Sequence, residues 1–455
     1  MEIDEALALA KHIHMIGIGG SGMCPIAEIL HHEGYQITGS DNNESETLAR
    51  VRTLGIPVAI GQRAENVTGA EMVVYTAALL PTNPELVAAK EAGIPTFERA
   101  KMLGALTRRY QNCICVCGTH GKTTTTAMLT QIMLQAKASP TAVIGGKLPL
   151  TNSNGIVGES ETMICEACEF QDTFLQLAPD VCVLLNVDED HMEYFKTLDR
   201  LMASFRQFAS MATKAVICNG DDFNTRNTLD GTKLKHVITF GRGENNDFRA
   251  LNVVMNGALP RYDLHYHGEY LTTIQLQTPG EHNVSNSLAA IAAAMYAGVN
   301  VMDCETAITS FRGAGRRFEV LGTCRGVTIA DDYAHHPKEL QVTLTAAKQM
   351  GYARVWAVFQ PFTFSRTAML LNEFAQALSI ADRVVLTKVM GAREMNTYGI
   401  STADLAEKCA GSVWFESFEE VADYVLQNAA VGDLVLTLGC GDVYKAAHMM
   451  LDGKR

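Results

Sequence analysis

The sequence predicts an α/β protein of three domains: a Rossmann-like N-terminal domain, a central P-loop-type domain and a Rossmann-like C-terminal domain. A chain of 455 residues is long enough for three such domains, at roughly 150 residues each. Apolar runs at 13–18 and 113–117 each lead into a glycine turn and a helical pattern, which is the order of a strand, a phosphate-binding loop and a helix. Later apolar runs alternate with helical patterns, as in a parallel sheet.

The domain boundaries are predicted from two arginine-containing stretches. One lies at residues 107–109 and the other, which also contains glycines, at 311–318. They give three predicted domains, 1–107, 108–312 and 313–455, and the glycines of the second stretch would allow movement between domains.

The composition excludes several classes of protein. Hydrophobic residues make up 47% and charged residues 19%, which is ordinary for a globular protein. The net charge of −13 disfavours nucleic acid as a partner. The start of the chain lacks the basic region of a signal peptide, and no apolar run reaches the length of about 18 residues that a membrane span requires.

Twelve cysteines are present, and their spacing does not resemble a disulfide framework. Cys113, Cys115 and Cys117 alternate along one predicted strand and so share a face. We expect them to be buried thiols acting as small hydrophobic groups. This usage predicts a reducing, cytoplasmic location.

The N-terminal glycine turn comprises Gly17, Gly19, Gly20 and Gly22, and the next predicted strand ends in Ser40-Asp41. A dinucleotide-binding fold has this layout, with the acid on a ribose hydroxyl. The turn alone is a weak signal. It indicates that a nucleotide diphosphate could bind there, and a tight turn without a ligand remains an alternative.

The central glycine loop is the strongest single signal, and it reads Gly118-Thr119-His120-Gly121-Lys122-Thr123-Thr124. Its backbone N–H groups and the following helix N-terminus favour phosphate. Lys122 would bind the outer phosphates, and Thr123 or Thr124 would offer a hydroxyl to Mg²⁺. Val116 stands where the strict Walker pattern has glycine, so the loop is a shortened one. The pattern predicts a P-loop-type ATPase domain; the alternative is an ordinary glycine turn.

Two acidic clusters follow the next predicted strands. Glu166 and Glu169 follow the first, and the segment from Asn186 to His191 follows the second. Carboxylates and a histidine beside a triphosphate loop suggest Mg²⁺ coordination. Asp188 and Asp190 could equally cap the following helix, and His191 could be structural.

Further along the chain, Asn283 and Asn286 flank the start of an alanine-rich helix. They could hold a base edge or simply cap the helix. In the third domain the strand ends carry polar or glycine segments, where an open parallel sheet binds ligands. These segments are Asp331–Pro337, Gln360–Arg366 and Gly439–Asp442.

These motifs, in this order, resemble the Mur ligases, three-domain ATP-dependent enzymes that build the peptide stem of peptidoglycan. The resemblance covers residues 12–445. The motifs that carry it are the loop at 118–124, Glu166–Glu169, Asn186–His191, His282–Asn286, Arg316–Phe318 and Asp331–Pro337. One such motif would mean little, but the ordered set is highly specific.

Within the family the chain resembles the members that attach L-alanine to UDP-N-acetylmuramate. Three features carry this: the opening His14–Met23, the doubled His335-His336, and the Gln360-Pro361 loop that ends in Arg366. Later family members have a carbamylated lysine where, counted without gaps, this chain has Arg206.

The resemblance implies a role for each matched residue. Lys122, His191, His335 and Arg366 would be catalytic, with ATP and Mg²⁺ as cofactors. The ATP contacts would be Gly118, Thr119, His120, Gly121, Lys122, Thr123, Thr124, Asn283, Arg316 and Asp332, and the metal ligands would be Thr123, Glu166 and His191. The contacts to UDP-N-acetylmuramate would be Gly19, Ser21, Ser40, Asp41 and Arg99.

The expected partners are therefore small molecules, namely UDP-N-acetylmuramate, L-alanine and ATP, and we expect a monomer or weak homodimer. The α-carboxylate of alanine requires a donor such as the guanidinium of Arg366, although Arg366 could instead be a surface residue capping a helix that begins near Thr367. Phe362 stands where the alanine-adding members usually have histidine.

Three alternatives remain at this point. One is a ligase that attaches a recycled tripeptide to the same UDP-sugar. Another is a nucleotide-binding dehydrogenase, which would leave Lys122 and both acidic clusters unexplained. The third is a non-catalytic nucleotide sensor, against which the intact Lys122, Glu166 and His191 argue.

Overall fold

The computed structural model describes residues 1–392 and 394–453, and it is an α/β structure built on three sheets. The chain divides into two compact units. One contains residues 1–250, 264–272 and 285–308, and the other contains 251–263, 273–284 and the chain from 309 onward. Among the described residues, no helix is both long and apolar enough to cross a membrane.

The first sheet is parallel throughout, in the order β3-β2-β1-β4-β5. Its strands are β1 (His12–Ile16), β2 (Gln36–Asp41), β3 (Val58–Ile60), β4 (Met72–Tyr75) and β5 (Thr96–Glu98). Its helices are α1 (Ile3–Leu9), α2 (Cys24–His32), α3 (Glu46–Thr53), α4 (Pro84–Glu91) and α5 (Arg99–Thr107). β3 and β5 each begin directly after a proline (Pro57 and Pro95, respectively), which has no N–H to donate.

The second sheet has ten strands, in the order β15-β14-β13-β12-β11-β10-β6-β9-β7-β8. They are β6 (Asn112–Cys117), β7 (Thr141–Leu148), β8 (Ser153–Ile156), β9 (Thr162–Glu166), β10 (Val181–Leu184), β11 (Ala215–Asn219), β12 (Val237–Gly241), β13 (Phe248–Asn256), β14 (Leu259–Tyr266) and β15 (Glu269–Gln275). The helices along this stretch are α6 (Lys122–Gln135), α7 (Met192–Phe195), α8 (Leu198–Met211), α9 (Phe223–Leu229), α10 (His282–Tyr296) and α11 (Val301–Ser310). β6 lies between β9 and β10 and runs parallel to both.

The core beneath this sheet contains the three alternating cysteines. Cys113, Cys115 and Cys117 are fully buried in one hydrophobic cluster, as predicted, and all twelve cysteines are free thiols. The pKa of Cys117 is raised well above its ordinary value by burial and by its contact with Cys182. These side chains therefore stay protonated and pack as apolar groups.

The third sheet has the order β16-β17-β21-β18-β19-β20, with only β16 antiparallel to its neighbour among the described pairs. Its strands are β16 (Glu319–Cys324), β17 (Val327–Asp332), β18 (Val355–Phe359), β19 (Arg383–Thr387), β20 (Val413–Phe415) and β21 (Leu434–Leu438). Its helices are α12 (Pro337–Lys348), α13 (Phe364–Met369), α14 (Leu371–Leu378), α15 (Thr402–Lys408), α16 (Phe418–Asn428) and α17 (Tyr444–Asp452).

The two faces of the third sheet are covered by different helices. Leu340 of α12, Phe374 of α14 and Leu405 of α15 lie in one core cluster, whereas Val421 of α16 and Met450 of α17 lie in another. The adjacent strands β18 and β21 therefore continue into helices on opposite faces. In an open parallel sheet, this divergence creates the crevice in which ligands bind.

An ion pair between a buried carboxylate and a partly exposed arginine connects the opposite ends of these strands. Asp433, which precedes β21, accepts hydrogen bonds from Arg354 at 2.6 and 3.1 Å and from the Trp356 indole at 3.0 Å. Burial would raise the pKa of Asp433, but these donors outweigh it and hold the pKa below its ordinary value. The charged form is therefore favoured in the folded protein.

We expect Asp433→Asn to destabilise the third sheet by about 2 kcal/mol, because charge-assisted hydrogen bonds to a buried carboxylate are lost while the partly exposed Arg354 guanidinium stays hydrated. Because the folded pKa is depressed, this contribution is present at neutral pH and is lost as the pH falls below about 4. Urea unfolding followed by fluorescence measures it, since both tryptophans, Trp356 and Trp414, lie in this sheet. Glu416→Gln, which removes an exposed partner of Lys388, is the control; an equal loss in both variants would contradict the assignment.

Candidate functional site

The carboxyl ends of β9, β6 and β10 bring three polar loops to one edge of the second sheet. In the parallel register Val116 pairs with Glu166, and Cys117 pairs with Leu184. The glycine loop therefore emerges between the two acidic clusters. Side chains far apart in the sequence meet at this edge because neighbouring parallel strands end together.

The glycine loop requires glycine at two positions. Gly118 and Gly121 have φ values of 133° and 86°, which L side chains rarely adopt. A Cβ on Gly121 would lie 2.4 Å from Asn286 Oδ1, so Asn286 packs directly on the loop. The next residue, Lys122, begins α6, and the loop N–H groups and the helix N-terminus together favour an anion.

Asn186 holds the loop in place, a role that sequence reasoning missed. Its Oδ1 accepts from His120 N at 2.8 Å, and its Nδ2 donates to His120 O at 3.0 Å. The Thr119 hydroxyl donates to Asp188 O at 3.1 Å and accepts from Asp188 N at 2.9 Å. The only available signal was that Asn186 opens the second acidic motif.

Lys122 is largely buried, and its ammonium group is fully engaged. It donates to Gly118 O at 2.6 Å and to Thr119 O at 2.9 Å, and it lies 3.0 Å from Glu169 Oε2. Burial alone would lower the pKa of Lys122, but Glu169, with Cys168 and Glu166, outweighs this and raises it above the ordinary value. The lysine is therefore a fixed positive charge at the base of the loop.

The carboxylates form two groups that could hold cations. Glu166 accepts from the Thr123 hydroxyl at 3.1 Å and from Gly145 N at 2.8 Å. Glu169, Asp190 and His191 each present a ligand atom within 4.8 Å of the other two. The structure thus places Glu166 with Thr123. It places His191 with Glu169 and Asp190, two carboxylates of the acidic clusters that the resemblance does not include among the metal ligands.

The N-terminal glycine turn is tied to the end of β2. Gly19 N donates to Asp41 Oδ2 at 3.0 Å. The Ser40 hydroxyl is buried and donates to the equally buried Glu85 at 2.6 Å, so Ser40 faces the turn only through its carbonyl, which accepts from Gly17 N at 2.8 Å. Ser21 is exposed.

Arg99 connects this turn with the edge of the second sheet. A Cβ on Gly22 would lie 3.1–3.2 Å from the Arg99 side chain, so the guanidinium lies against the turn. Arg99 also lines a small cleft with Glu166, Cys168 and Thr173. Arg99 therefore links the N-terminal turn to the cleft that contains Glu166, within one compact unit.

In the third sheet, Arg316 and Asp332 belong to a polar network at the ends of β17 and β21. Arg316 donates to Asp331 and to Gly439 O, both at 2.7 Å, with its guanidinium over the Tyr444 ring at 4.8 Å. Asp332 accepts from Phe318 N at 2.7 Å. Burial raises the pKa of Asp332 to about 6, although Arg317 acts in the opposite direction.

The doubled histidine separates into two roles. His336 is the N-cap of α12 and accepts from Lys338 N at 3.4 Å, so it stabilises the helix start. His335 lies beside Glu339 at 3.3 Å, with its ring 6.5 Å from that of Phe362. His335 therefore remains the candidate for contact with a ligand.

Arg366 is not a surface cap, because it is only 8% exposed and lies within α13, which begins at Phe364 rather than near Thr367. Burial raises the pKa of Cys440 to about 12 against the opposing charges of Arg366 and Arg316. Both guanidinium groups thus lie close enough to the glycine segment after β21 to influence the charge of the Cys440 thiol. Arg366 lies at the crevice between β18 and β21.

Two further predicted positions have local partners. Asn283 Nδ2 donates to Pro279 O at 2.8 Å at the start of α10. Arg206 Nε donates to Thr228 O at 2.7 Å at the carboxyl end of α9, where a positive charge is favourable. Arg206 is therefore a helix-capping residue in this chain.

Comparison with known proteins supports this arrangement over nearly the whole chain. Three family models match: "Mur ligase family, catalytic domain" at residues 12–111, "Mur ligase middle domain" at 116–294, and "Mur ligase, glutamate ligase domain" at 316–441. The chain belongs to the Mur ligase family.

Curated relatives in the family extend over the full length. The UDP-N-acetylmuramate–L-alanine ligase of Agathobacter rectalis is 44% identical over 97% of both chains, and that of Caldanaerobacter subterraneus is 40% identical over 99% of both. The crystal structure of the UDP-N-acetylmuramate-alanine ligase of Thermotoga maritima has a TM-score of 0.83 at 27% identity, covering 98% of this chain and 99% of that one. The murein peptide ligase of Psychrobacter arcticus, with a TM-score of 0.79 at 23% identity over 97% and 98%, shares the fold.

Mur ligases are ATP-dependent, so the central loop is the first place to test nucleotide chemistry. We expect Lys122→Ala to lower ATP turnover at least ~10³-fold, because the variant lacks the positive charge that would stabilise the transferred phosphoryl group. Release of ADP measures this. Lys147→Ala removes a surface lysine paired with Glu46 and should leave the rate unchanged. Near-normal turnover in folded Lys122→Ala would contradict the assignment of the loop.

Proposed function

We propose that this Mur ligase joins L-alanine to the lactyl carboxylate of UDP-N-acetylmuramate and consumes ATP, the first step of the peptidoglycan peptide stem. The observation that carries the proposal is the 40–44% identity over at least 97% of the chain to ligases of that name. The murein peptide ligase of Psychrobacter arcticus shares the fold, but that likeness is at 23% identity. A dehydrogenase would leave Lys122 and the acidic groups without a purpose.

The chemistry has two steps, and both concentrate negative charge. The lactyl carboxylate takes the γ-phosphoryl group of ATP to give an acyl phosphate and ADP. The amine of alanine then attacks the carbonyl carbon, a proton is lost from nitrogen, and phosphate leaves. Lys122, the loop N–H groups and the N-terminus of α6 would stabilise the phosphoryl group by position and charge. His335 would lie near the γ-phosphate.

The donor set at the sheet edge fits a divalent cation. Thr123, Glu166 and His191 would hold Mg²⁺, as the family resemblance implies, and Glu169 and Asp190 add two carboxylates beside His191. Carboxylate and hydroxyl oxygens suit Mg²⁺, and the imidazole is compatible with Mn²⁺ as well. The cation would neutralise charge on the phosphates and the carboxylate.

The other ATP contacts are proposed from matched motifs: Gly118, Thr119, His120, Gly121, Thr124, Asn283, Arg316 and Asp332. The UDP-sugar would bind the N-terminal turn through Gly19, Ser21 and Asp41, with Ser40 supporting the turn from beneath. Arg99 is well placed for the sugar phosphates, since it lies against Gly22 and lines the cleft that contains Glu166.

For the amino acid, Arg366 would bind the α-carboxylate in the crevice between β18 and β21. Its burial strengthens a bidentate contact. Phe362 adds apolar bulk, so a small side chain should be preferred. L-alanine is then the first substrate, with glycine or L-serine as alternates, because a pocket discriminates one methyl group by only about 1–3 kcal/mol.

The decisive experiment is phosphate release from ATP with UDP-N-acetylmuramate across single amino acids and the stem tripeptide. We expect L-alanine to give the highest kcat/KM, with glycine and L-serine lower and measurable. Activity with tripeptide but not alanine would identify the recycling ligase. No release with any of them would overturn the proposal.

We expect Arg366→Ala to raise the KM for L-alanine far more than the KM for ATP, because the carboxylate loses a charged, bidentate partner. Steady-state kinetics with each substrate varied in turn measures this. Arg383→Ala, at an exposed arginine of the same sheet, is the control. Equal effects on alanine and ATP would place Arg366 at the nucleotide instead.

A further inference from the structure

The two loops that carry the candidate metal ligands contain strained backbone. Gln171 and Asp172 have φ values of 52° and 58°, and His191 has a φ of 54°. Left-handed backbone costs a non-glycine residue roughly 1–2 kcal/mol, and such residues cluster where function requires a fixed geometry. Another interaction must hold these loops in place.

That interaction centres on Asp172. The Tyr194 hydroxyl donates to Asp172 Oδ2 at 2.6 Å, and the Ser204 hydroxyl donates to Oδ1. Ser204 lies on α8. Tyr194 lies on α7, the short helix that begins directly after His191. Both oxygens of one carboxylate thus accept from hydroxyl groups on two helices.

The Tyr194 bond joins two turns that each begin at a candidate metal ligand. Asp172 N donates to Glu169 O at 2.9 Å, so the first turn runs from Glu169 to Asp172. Tyr194 N donates to His191 O, also at 2.9 Å, so the second runs from His191 to Tyr194. The side chains at the far ends of the two turns meet in the Asp172–Tyr194 hydrogen bond. Ser204 makes no such link to His191.

We propose that Asp172 and Tyr194 are positioning residues: their hydrogen bond sets the separation of Glu169 and His191 and so the affinity of the site for a divalent cation. The inference rests on the metal site proposed above. A second contact between the loops, the Phe170 and His191 rings at 4.8 Å, is independent of the hydroxyl. Removing the hydroxyl alone should therefore loosen the site without separating the loops.

The test compares Tyr194→Phe with Ser204→Ala in the full-length protein. Each variant lacks one of the two hydroxyl groups that donate to the Asp172 carboxylate. Only Tyr194 lies on the turn that begins at His191. Tyr194→Phe also keeps the ring on which Arg200 lies at 5.1 Å. The affinity is measured by titration with Mn²⁺ in the absence of substrates, with the electron paramagnetic resonance signal of free Mn²⁺ as the readout. His191→Ala is the positive control for loss of a ligand.

We expect Tyr194→Phe to raise the Kd for Mn²⁺ about tenfold, the low end of the range for losing a direct partner of a metal ligand, because Tyr194 acts through the backbone turn of His191. Ser204→Ala should raise it less than about threefold. The Mg²⁺ concentration for half-maximal rate should rise in parallel. The kcat at saturating Mg²⁺ and the KM for UDP-N-acetylmuramate should stay within about twofold, which a general loss of structure would not allow.

An equal shift in the two variants, or none in Tyr194→Phe, would overturn the role of the Asp172–Tyr194 bond while leaving the metal site intact. A wild-type protein that binds no Mn²⁺ and turns over without divalent cation would instead remove the metal site, and the positioning role with it. Thermal unfolding of each variant confirms that the comparison is made between folded proteins.

Discussion

The parallel pairing of β6 with β9 on one side and β10 on the other is the constraint on which the first unit's chemistry depends. It brings Lys122 and Glu169, 47 residues apart in sequence, into an ion pair. It also places Asn186 against the glycine loop and Glu166 against Thr123. A change in the register of either pair would move one loop relative to the other two.

The negative charge of Glu169 at this edge of the sheet is balanced mainly by the ammonium group of Lys122. Glu169 is 1% exposed and Lys122 14%, so separating them would leave a buried carboxylate without its partner, which costs several kcal/mol. A phosphate in the loop would compete with Glu169 for the same ammonium group. A divalent cation beside Glu169 and His191 would offset that loss. We therefore expect nucleotide and cation binding at this edge to be energetically coupled.

Sequence reasoning identified the loops well because their signals are local. Order and spacing alone indicate the glycines at 118 and 121, the lysine after them and the polar segments at strand ends. The alternation of Cys113, Cys115 and Cys117 likewise predicts one buried face, which the structure has.

The hydrogen-bond and packing partners of those residues could not be predicted from the sequence, because most of them come from other parts of the chain. His336 is an exception, because Pro337 and Glu339 mark it as the N-cap of α12 from the local sequence alone, a signal that sequence reasoning missed. The burial of Arg366 depends on the packing of α13, and the support of the glycine loop by Asn186 depends on the register of β6 and β10. Asp172 meets Tyr194 and Ser204 only through tertiary structure.

Selection of the amino acid should depend more on excluded volume than on attraction. A buried guanidinium can recognise the carboxylate that every α-amino acid has, so Arg366 in the proposed role would confer affinity without discrimination. Phe362 sits in a segment held by backbone pairing with Met390, in which Met390 N donates to Pro361 O and Thr363 N donates to Met390 O, both at 2.9 Å. This pairing holds the backbone at Phe362, which limits how far the side chain can move to admit a larger substrate, and overpacking is destabilising. A missing methyl group costs only about 1–3 kcal/mol. The site should therefore reject bulky amino acids strongly and glycine weakly.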